Sequence, residues 1–373
     1  MNVTQIKLKN FRNYREAVID FVPGVQVFVG KNAQGKTNLL EAIFFAVLSK
    51  SFRTSVDEEM IGWETEESRL TVLFQNRIAG HNLQFLLKKG EKRENLLNGQ
   101  PVKKRDVIGY LNAVLFSPED LLLVKGAPTG RRKFLDLEIS QTQPAYYRTL
   151  LKYQRALFQR NVLLKQIQAG QAKRAVLDLW DEQISPLAEQ LVRERQRNIG
   201  RLTEIAGRIH EKITAGRESF SANYCIYAAA GRETVSDYPT WYKEELKKSR
   251  EKDIRRGTTE FGPHKDDIIF LINSRDGKSF ASQGQQRTAV LSLKLAEIEL
   301  MHEIIGEYPI LLLDDVMSEL DEKRRLNLIE EINGKVQTFI TGTERIQGLG
   351  ELKPTYYWID SGAVFTEDGS LDQ

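Results

Sequence analysis

At 373 residues, 41% of them hydrophobic and 28% charged, the chain is long enough to bury a substantial core, and two domains are expected. Its one cysteine, Cys225, excludes an intrachain disulfide and a cysteine-based zinc cluster, and four histidines are too few to suggest a metal centre. A net charge of +3 is only mildly basic, so it permits nucleic-acid binding without arguing for it.

Met1-Asn2-Val3-Thr4-Gln5-Ile6 runs straight into alternating strand residues, with no basic n-region and no apolar h-region. The longest apolar run, 42–48, is far too short to span a bilayer. A cytoplasmic protein that does not engage a membrane is expected. Residues 6–11 and 17–21 alternate as a hairpin pair around Arg12-Asn13-Tyr14-Arg15. Val25–Val29 is β-branched and aromatic and predicts a strand. It enters Gly30-Lys31-Asn32-Ala33-Gln34-Gly35-Lys36-Thr37, the G-x-x-x-x-G-K-[ST] phosphate loop, and a helix leaves it through residues 39–46. In this context Gly30 and Gly35 let backbone N–H groups converge on phosphates at the helix N-terminus. Lys36 adds a point charge, and the Thr37 hydroxyl is placed to ligate Mg²⁺. The motif therefore implies ATP and Mg²⁺ as cofactors.

Strand texture continues at 70–74, 83–87 and 94–97, with Asn98-Gly99 as a turn signal. After Gly126-Ala127-Pro128 the pattern becomes helical over 131–168 and 173–217, joined at Ala169-Gly170-Gln171, with Pro144 and Pro186 expected to interrupt it. Unbroken, helices of ~40 residues would reach ~60 Å. Strands are expected again at 224–229 and 268–273, and the acidic tail after Thr366 is expected to fray.

Ser282-Gln283-Gly284-Gln285-Gln286-Arg287 opens a strongly periodic helix through Leu291, Leu295 and Ile298. Ser282 with Gln285 three positions on has the spacing of a helix cap. The same turn also presents a hydroxyl, free N–H groups and a dipole suited to a γ-phosphate. Because the chain's own phosphate loop already holds a nucleotide from one side, the second reading suggests a partner's nucleotide, sandwiched in a two-fold dimer. Next, Ile310-Leu311-Leu312-Leu313-Asp314-Asp315 reads as a buried strand delivering carboxylates to a site, roughly 280 residues beyond the phosphate loop. Asp314 is placed to hold Mg²⁺ through water, and Asp315 to orient or deprotonate an attacking water. Ser318 to Asp321 has capping-box spacing for the helix that follows, and 337–341 reads as a further strand. The fold class is therefore α/β, a P-loop head interrupted by a helical insertion. The head comprises 1–125 and 254–373, and the insertion 126–253. Basic clusters recur at residues 88–89, 103–105, 131–133, 193–197, 247–248 and 255–256. They read either as solvated helix faces or as one shared phosphate-binding surface.

Taken together, these motifs resemble the RecF family of bacterial recombination mediators, which is related to the SMC and Rad50-type ATP-cassette ATPases. The marks are Leu8-Lys9-Asn10-Phe11-Arg12-Asn13-Tyr14, the phosphate loop followed by Asn38-Leu39-Leu40-Glu41-Ala42, and Phe116-Ser117-Pro118-Glu119-Asp120-Leu121. Further marks are Arg131-Arg132 with Phe134-Leu135-Asp136, Gly262-Pro263-His264-Lys265-Asp266-Asp267, the Ser282 turn and the Asp314-Asp315 strand. The resemblance covers essentially the whole chain. It implies an SMC/Rad50-like head with a mixed sheet and a short helical arm. It also implies an ATP-dependent homodimer that binds double-stranded DNA near single-strand gaps, acting with RecO and RecR to load RecA in DNA repair and replication restart. Weak DNA-stimulated ATP hydrolysis is implied, with Arg12, Ser282, Gly284 and Gln285 added to the phosphate loop as nucleotide contacts.

Departures from the wider cassette pattern are informative. Asp315 stands where transporters carry Glu, whose longer reach should activate water better. No switch histidine follows the strand ending in Gly342-Thr343, and the loop after Leu115 lacks the usual glutamine, for which Glu119 or Asp120 are the available substitutes. His264 reads more simply as a satisfied turn histidine, and Cys225 as a small buried hydrophobe. A transporter subunit would place the signature turn nearer the phosphate loop. A chromosome-organising protein would need far longer arms, and a small-molecule phosphotransferase would need a buried acceptor pocket and no dimer.

Overall fold

The computed structural model describes residues 1–227, 237–346 and 348–366. In chain order, β1 (Asn2–Phe11) and β2 (Tyr14–Asp20) form a hairpin, and β3 (Val25–Val29) feeds α1 (Lys36–Leu48). β4 (Glu67–Gln75), β5 (Gly80–Lys88), β6 (Glu94–Leu97) and β7 (Gln100–Pro101) follow, then β8 (Ala113–Phe116). The helical stretch holds α2 (Pro128–Thr142), α3 (Pro144–Gln168) and α4 (Leu177–Thr214). After it come β9 (Phe220–Cys225), α5 (Tyr238–Arg256), β10 (Asp267–Ile272), β11 (Arg275–Asp276) and α6 (Gly277–Phe280). The last part comprises α7 (Gln283–Ile305), β12 (Ile310–Leu313), α8 (Val316–Glu319), α9 (Glu322–Ile332), β13 (Thr338–Gly342), β14 (Thr355–Asp360) and β15 (Ala363–Thr366).

Three sheets organise these elements. The central one has the order β15-β14-β3-β13-β12-β8, parallel from β14 to β8 with β15 antiparallel at the edge. β3 and β12 are buried at every position, as strands covered on both faces must be. A second, antiparallel sheet runs β2-β1-β4-β5-β6-β7, with alternating burial along β1 that matches one covered face. α1 is buried along nearly its whole length beside these strands, sharing a core with Ile6, Leu70 and Phe85. The small sheet β11-β10-β9 pairs residues from before and after α5.

Two expectations change. Pro186 does not break its helix: α4 runs through it. Proline removes one N–H, but the carbonyl it leaves free, on exposed Glu182, faces water, while Ile184, Ser185 and Ala188 bury the other side. Pro144 does divide α2 from α3, sitting in the first turn where a missing N–H costs nothing. The strand expected at 224–229 is β9, shifted earlier, and Ala228 and Ala229 lie outside the described residues, as does the tail from 367 onward. Among the described residues no helix is long and apolar enough to cross a membrane.

Candidate nucleotide site

The parallel sheet brings the two sequence halves together. β3 and β12 flank β13, so the loop after β3 and the acids after β12 open at the same edge of the sheet. The Thr37 hydroxyl donates to Asp314 Oδ1 at 2.9 Å across 277 residues of sequence. Thr341, from the end of β13, donates to the same oxygen at 2.9 Å and accepts from the Asp315 N–H at 2.8 Å. Burial pushes the Asp314 carboxyl up from its ordinary range. The two hydroxyls pull it back, neighbouring Asp315 raises it, and Arg53 lowers it. Thr37 and Asp314 are hard oxygen donors already converging, which is the chemistry Mg²⁺ takes beside a phosphate.

Gly35 begins α1 at φ 119° and no side chain caps it, leaving the first-turn N–H groups to an anion. A Cβ on Gly35 would meet Asn13 Nδ2 at 2.7 Å, and one on Gly30 would collide with the Ile359 carbonyl. Both glycines are therefore required by space, and Gly35 by conformation as well. Lys36 is not a free charge: it is buried, with Nζ donating to the carbonyls of Gly30 at 2.7 Å and Lys31 at 2.9 Å. Asn32 and Ala33 form the turn of the loop, Ala33 at φ 66°. Gln34 braces it, with its carbonyl accepting from Asn13 Nδ2 at 2.8 Å and its side chain from the Ser361 N–H at 2.6 Å.

Arg12, at φ 52°, forks onto the buried Glu41 carboxylate of α1 through Nε at 2.9 Å and Nη2 at 2.6 Å. Ser51 also donates to Glu41. Arg12 is thus held against the helix that carries the phosphate loop. Asp315 is half-buried and sits at φ 52°, a left-handed position that Asp tolerates better than most residues.

The signature turn lies apart from this edge. Ser282 caps α7: its Oγ accepts from the Gln285 N–H at 3.2 Å, while Gln285 Oε1 accepts from the Ser282 N–H at 2.9 Å. Gln285 Nε2 donates to Glu218 at 3.0 Å, and the Gly284 carbonyl accepts from Arg324 at 2.8 Å. Ser282 is exposed, and none of its hydrogen bonds among the described residues reaches the phosphate loop of its own chain.

The remaining candidates resolve differently. Asp120 accepts from the Ser117 N–H at 2.8 Å and pairs with Lys294 at 3.3 Å, so it is occupied, while Glu119 is exposed. His264 is half-buried between the Tyr153 hydroxyl at 2.7 Å and the Thr259 carbonyl at 2.9 Å, and desolvation pushes it down to about 4: a satisfied turn histidine. Cys225 is half-buried at the end of β9 rather than packed into a core. Within the basic clusters, Arg131 and Arg195 are buried and paired with Asp267 and Asp136, so neither is available to a surface partner. Sequence reasoning missed Thr341, Glu41 and Gln34's partner Ser361. Only Thr341 had a usable signal, a polar residue ending a buried strand.

Comparison with known proteins extends the motif reading. The family model described as RecF/RecN/SMC N terminal domain matches residues 2–347. The DNA replication and repair protein RecF of Halalkalibacterium halodurans is 41% identical over 369 residues, covering 98% of this chain and 99% of that protein. The protein of the same name from Bacillus velezensis is 43% identical over 345 residues, covering 92% and 93%. Among solved structures, the recombination mediator protein RecF-ATP in the RecFOR pathway superposes with a TM-score of 0.89 at 33% identity, covering 98% and 97%. An Smc head bound to the C-winged helix domain of ScpA, at 15% identity and a TM-score of 0.56, shares the fold: an α/β ATP-cassette head. With identity of this order along nearly its whole length, the chain belongs to the RecF family.

Proposed function

We propose that the chain is an ATP-dependent DNA-binding clamp of recombinational repair and replication restart in the cytoplasm. Residues 1–125 and 254–373 serve as its cassette head and 126–253 as its helical arm. ATP occupies the loop from Gly30 to Thr37, with Lys36 on the phosphates and Arg12 beside the nucleotide. Thr37 and Asp314 are the residues that would hold Mg²⁺, which neutralises phosphate charge when bound. Asp315 orients the attacking water for slow, DNA-stimulated hydrolysis. Ser282, Gly284 and Gln285 meet the γ-phosphate of a second copy, so that ATP drives a homodimer and hydrolysis releases it. The observation that carries this reading is the contact of Thr37 with Asp314 at 2.9 Å, together with an exposed signature turn that its own phosphate loop does not use. The dimer joins two surfaces on double-stranded or gapped DNA, and RecO and RecR are the partners in loading RecA. A solved relative is described as a recombination mediator in the RecFOR pathway. Sedimentation with ATP, with ADP, and with ATP plus a short duplex tests the proposal. A dimer should form with ATP alone and be retained on DNA; a monomer under all three conditions refutes it.

A further inference from the structure

Where the C-terminus of α1 meets α2 and α3, away from the phosphate loop at the other end of α1, lies a cavity of about 500 Å³. Phe44, Phe52, Leu137, Tyr147 and Leu150 line it, giving apolar walls with flat rings. Two exposed lysines, Lys50 and Lys133, border the same space, and Lys50 Nζ stands 5.6 Å from the centre of the Tyr147 ring. Lys104 lies close enough to feel the Lys50 charge. Among the described residues none of these three ammonium groups makes a salt bridge, and Asp136 and Asp57 act on Lys50 and Lys104 only at longer range.

Unpaired like charges held close are costly unless something anionic joins them. Burial first, then Lys133, pushes the Lys50 ammonium down against the opposing pull of Asp136. Lys104 is pushed down to about 8 by burial first and by Arg93 and Lys50, with Asp57 opposing. The acids that share the lining are engaged elsewhere, neutralised by burial, or exposed. Asp136 is held by Arg195 at 2.9 Å, and Lys294 takes Asp120 at 3.3 Å and Glu297 at 3.1 Å. Glu138 is buried, and burial drives its carboxyl far up toward the neutral form; Glu119 is exposed. An anionic group at the lysines with a flat apolar body behind it fits both features. A duplex could reach the lysines but could not enter.

We propose that this cavity is a nucleotide subsite, with Lys50 and Lys133 holding a phosphate and the rings of Tyr147, Phe52 and Phe44 receiving the base of a single-stranded nucleic acid. Base–aromatic stacking with a cationic backbone contact is how strands are held without sequence preference. The assignment deepens the clamp function, on which it rests for the identity of the strand, by fixing where a single strand is gripped.

The test uses the full chain and a short oligodeoxythymidylate carrying bromodeoxyuridine, with photocrosslinks mapped by mass spectrometry. Crosslinks should fall on peptides containing Phe44, Phe52 or Tyr147. Lys50→Glu with Lys133→Glu, both at exposed positions, should weaken oligonucleotide binding by about tenfold or more. It should also flatten the salt dependence by ~0.7 in log–log slope for each phosphate that the lysines no longer neutralise. Lys50→Arg with Lys133→Arg should restore both. Displacement of the crosslink by millimolar thymidine monophosphate would assign the site to nucleotides generally, and its persistence would assign it to a strand. Crosslinks confined to other peptides, or wild-type affinity and slope in the double glutamate variant, overturn the subsite. The mass of the wild type in ATP is read alongside. A dimer without the crosslink condemns the subsite, whereas a crosslink without a dimer condemns the clamp.

Discussion

Thr341→Val removes one hydroxyl and almost no volume, yet that hydroxyl serves both acids of the nucleotide site. It donates to Asp314 Oδ1 at 2.9 Å and accepts from the Asp315 N–H at 2.8 Å, and Thr341 is only 1% exposed. A hydrogen bond to a charged acceptor contributes ~1.5–3 kcal/mol, and an orphaned buried N–H costs ~1–3 kcal/mol. Taking the middle of these ranges and allowing for partial relaxation, the loss should be about 3 kcal/mol. In a chain of this length that corresponds to a fall of about 4 °C in Tm. The pH dependence separates this mechanism from simple loss of packing. Asp314 already sits above its ordinary value, so between the unfolded and folded pKa values the native state binds more protons and stability falls as pH rises. Without Thr341 the carboxyl should rise further, so the variant's deficit should be largest at neutral pH and narrow as the solution is acidified through the folded pKa. Urea denaturation across that range, beside calorimetric Tm, measures it. A deficit independent of pH, or a Tm within a degree of wild type, would refute the assignment of Thr341 as the support of both acids.

Other substitutions test the remaining roles. Lys36→Met should abolish nucleotide binding by titration calorimetry. Because Nζ also ties two loop carbonyls, it should cost about 1–2 kcal/mol in denaturant melts. Asp315→Asn should keep ATP affinity and accumulate the ATP-bound dimer in sedimentation, with steady-state phosphate release strongly reduced. Ser282→Arg should leave the monomer's ATP affinity intact while its mass in saturating ATP stays that of a monomer; loss of a helix cap alone would cost ~1 kcal/mol with the dimer preserved. Asp266, pushed up to about 6 chiefly by burial, binds its proton more tightly folded than unfolded. Stability it contributes therefore falls as pH rises from about 4 to 6, and Asp266→Asn should flatten urea midpoints across that window.

The phosphate loop was legible in sequence because backbone geometry around a phosphate tolerates few residues: Gly30 and Gly35 are each opposed by atoms that exclude a side chain. The acidic strand was legible because burial on both faces of a parallel sheet demands an unbroken apolar run before the carboxylates. Adjacency was not legible. Thr341 matters because β13 lies between β3 and β12, and no local pattern encodes which strands neighbour one another. Glu41 sits amid the apolar residues of α1, and the turn that returns Arg12 to it, with Ser51 and Arg53 beside it, makes the charge tolerable there. α5 was overlooked because its apolar face is narrow, although Asp237 at its cap, with its side chain accepting from the Thr240 N–H, and Pro239 in the first turn are recognisable start signals. Pro186 misled because propensity weighs a residue without knowing which side of the helix faces water.

The two regions that the proposed cycle must connect are joined within one chain by short polar contacts. Ser318 donates back to the Asp315 carbonyl at 2.7 Å, fixing the turn that leaves the acids. Arg287, on α7, reaches the Glu319 carbonyl at 2.9 Å and its carboxylate at 3.0 Å. Arg324, at the start of α9, pairs with Asp321 and spans to the Gly284 carbonyl at 2.8 Å and the Thr288 hydroxyl at 2.9 Å. The two arginines are not equivalent. The Arg287–Glu319 pair is about two-fifths exposed on both sides and, screened by water, contributes little as a charge pair. Arg324 is more buried, and apart from its pair with Asp321 it bonds to neutral acceptors in the first turns of α7, contacts that are directional and depend little on salt. A displacement of the turn holding Ser282 must therefore drag or break the Arg324 contacts, and with them the segment that begins at Asp315. If a partner's γ-phosphate docks on Ser282, the link to Asp315 of the same chain, the acid proposed to orient water, is a bonded path through Arg324, and needs no movement of the sheet between.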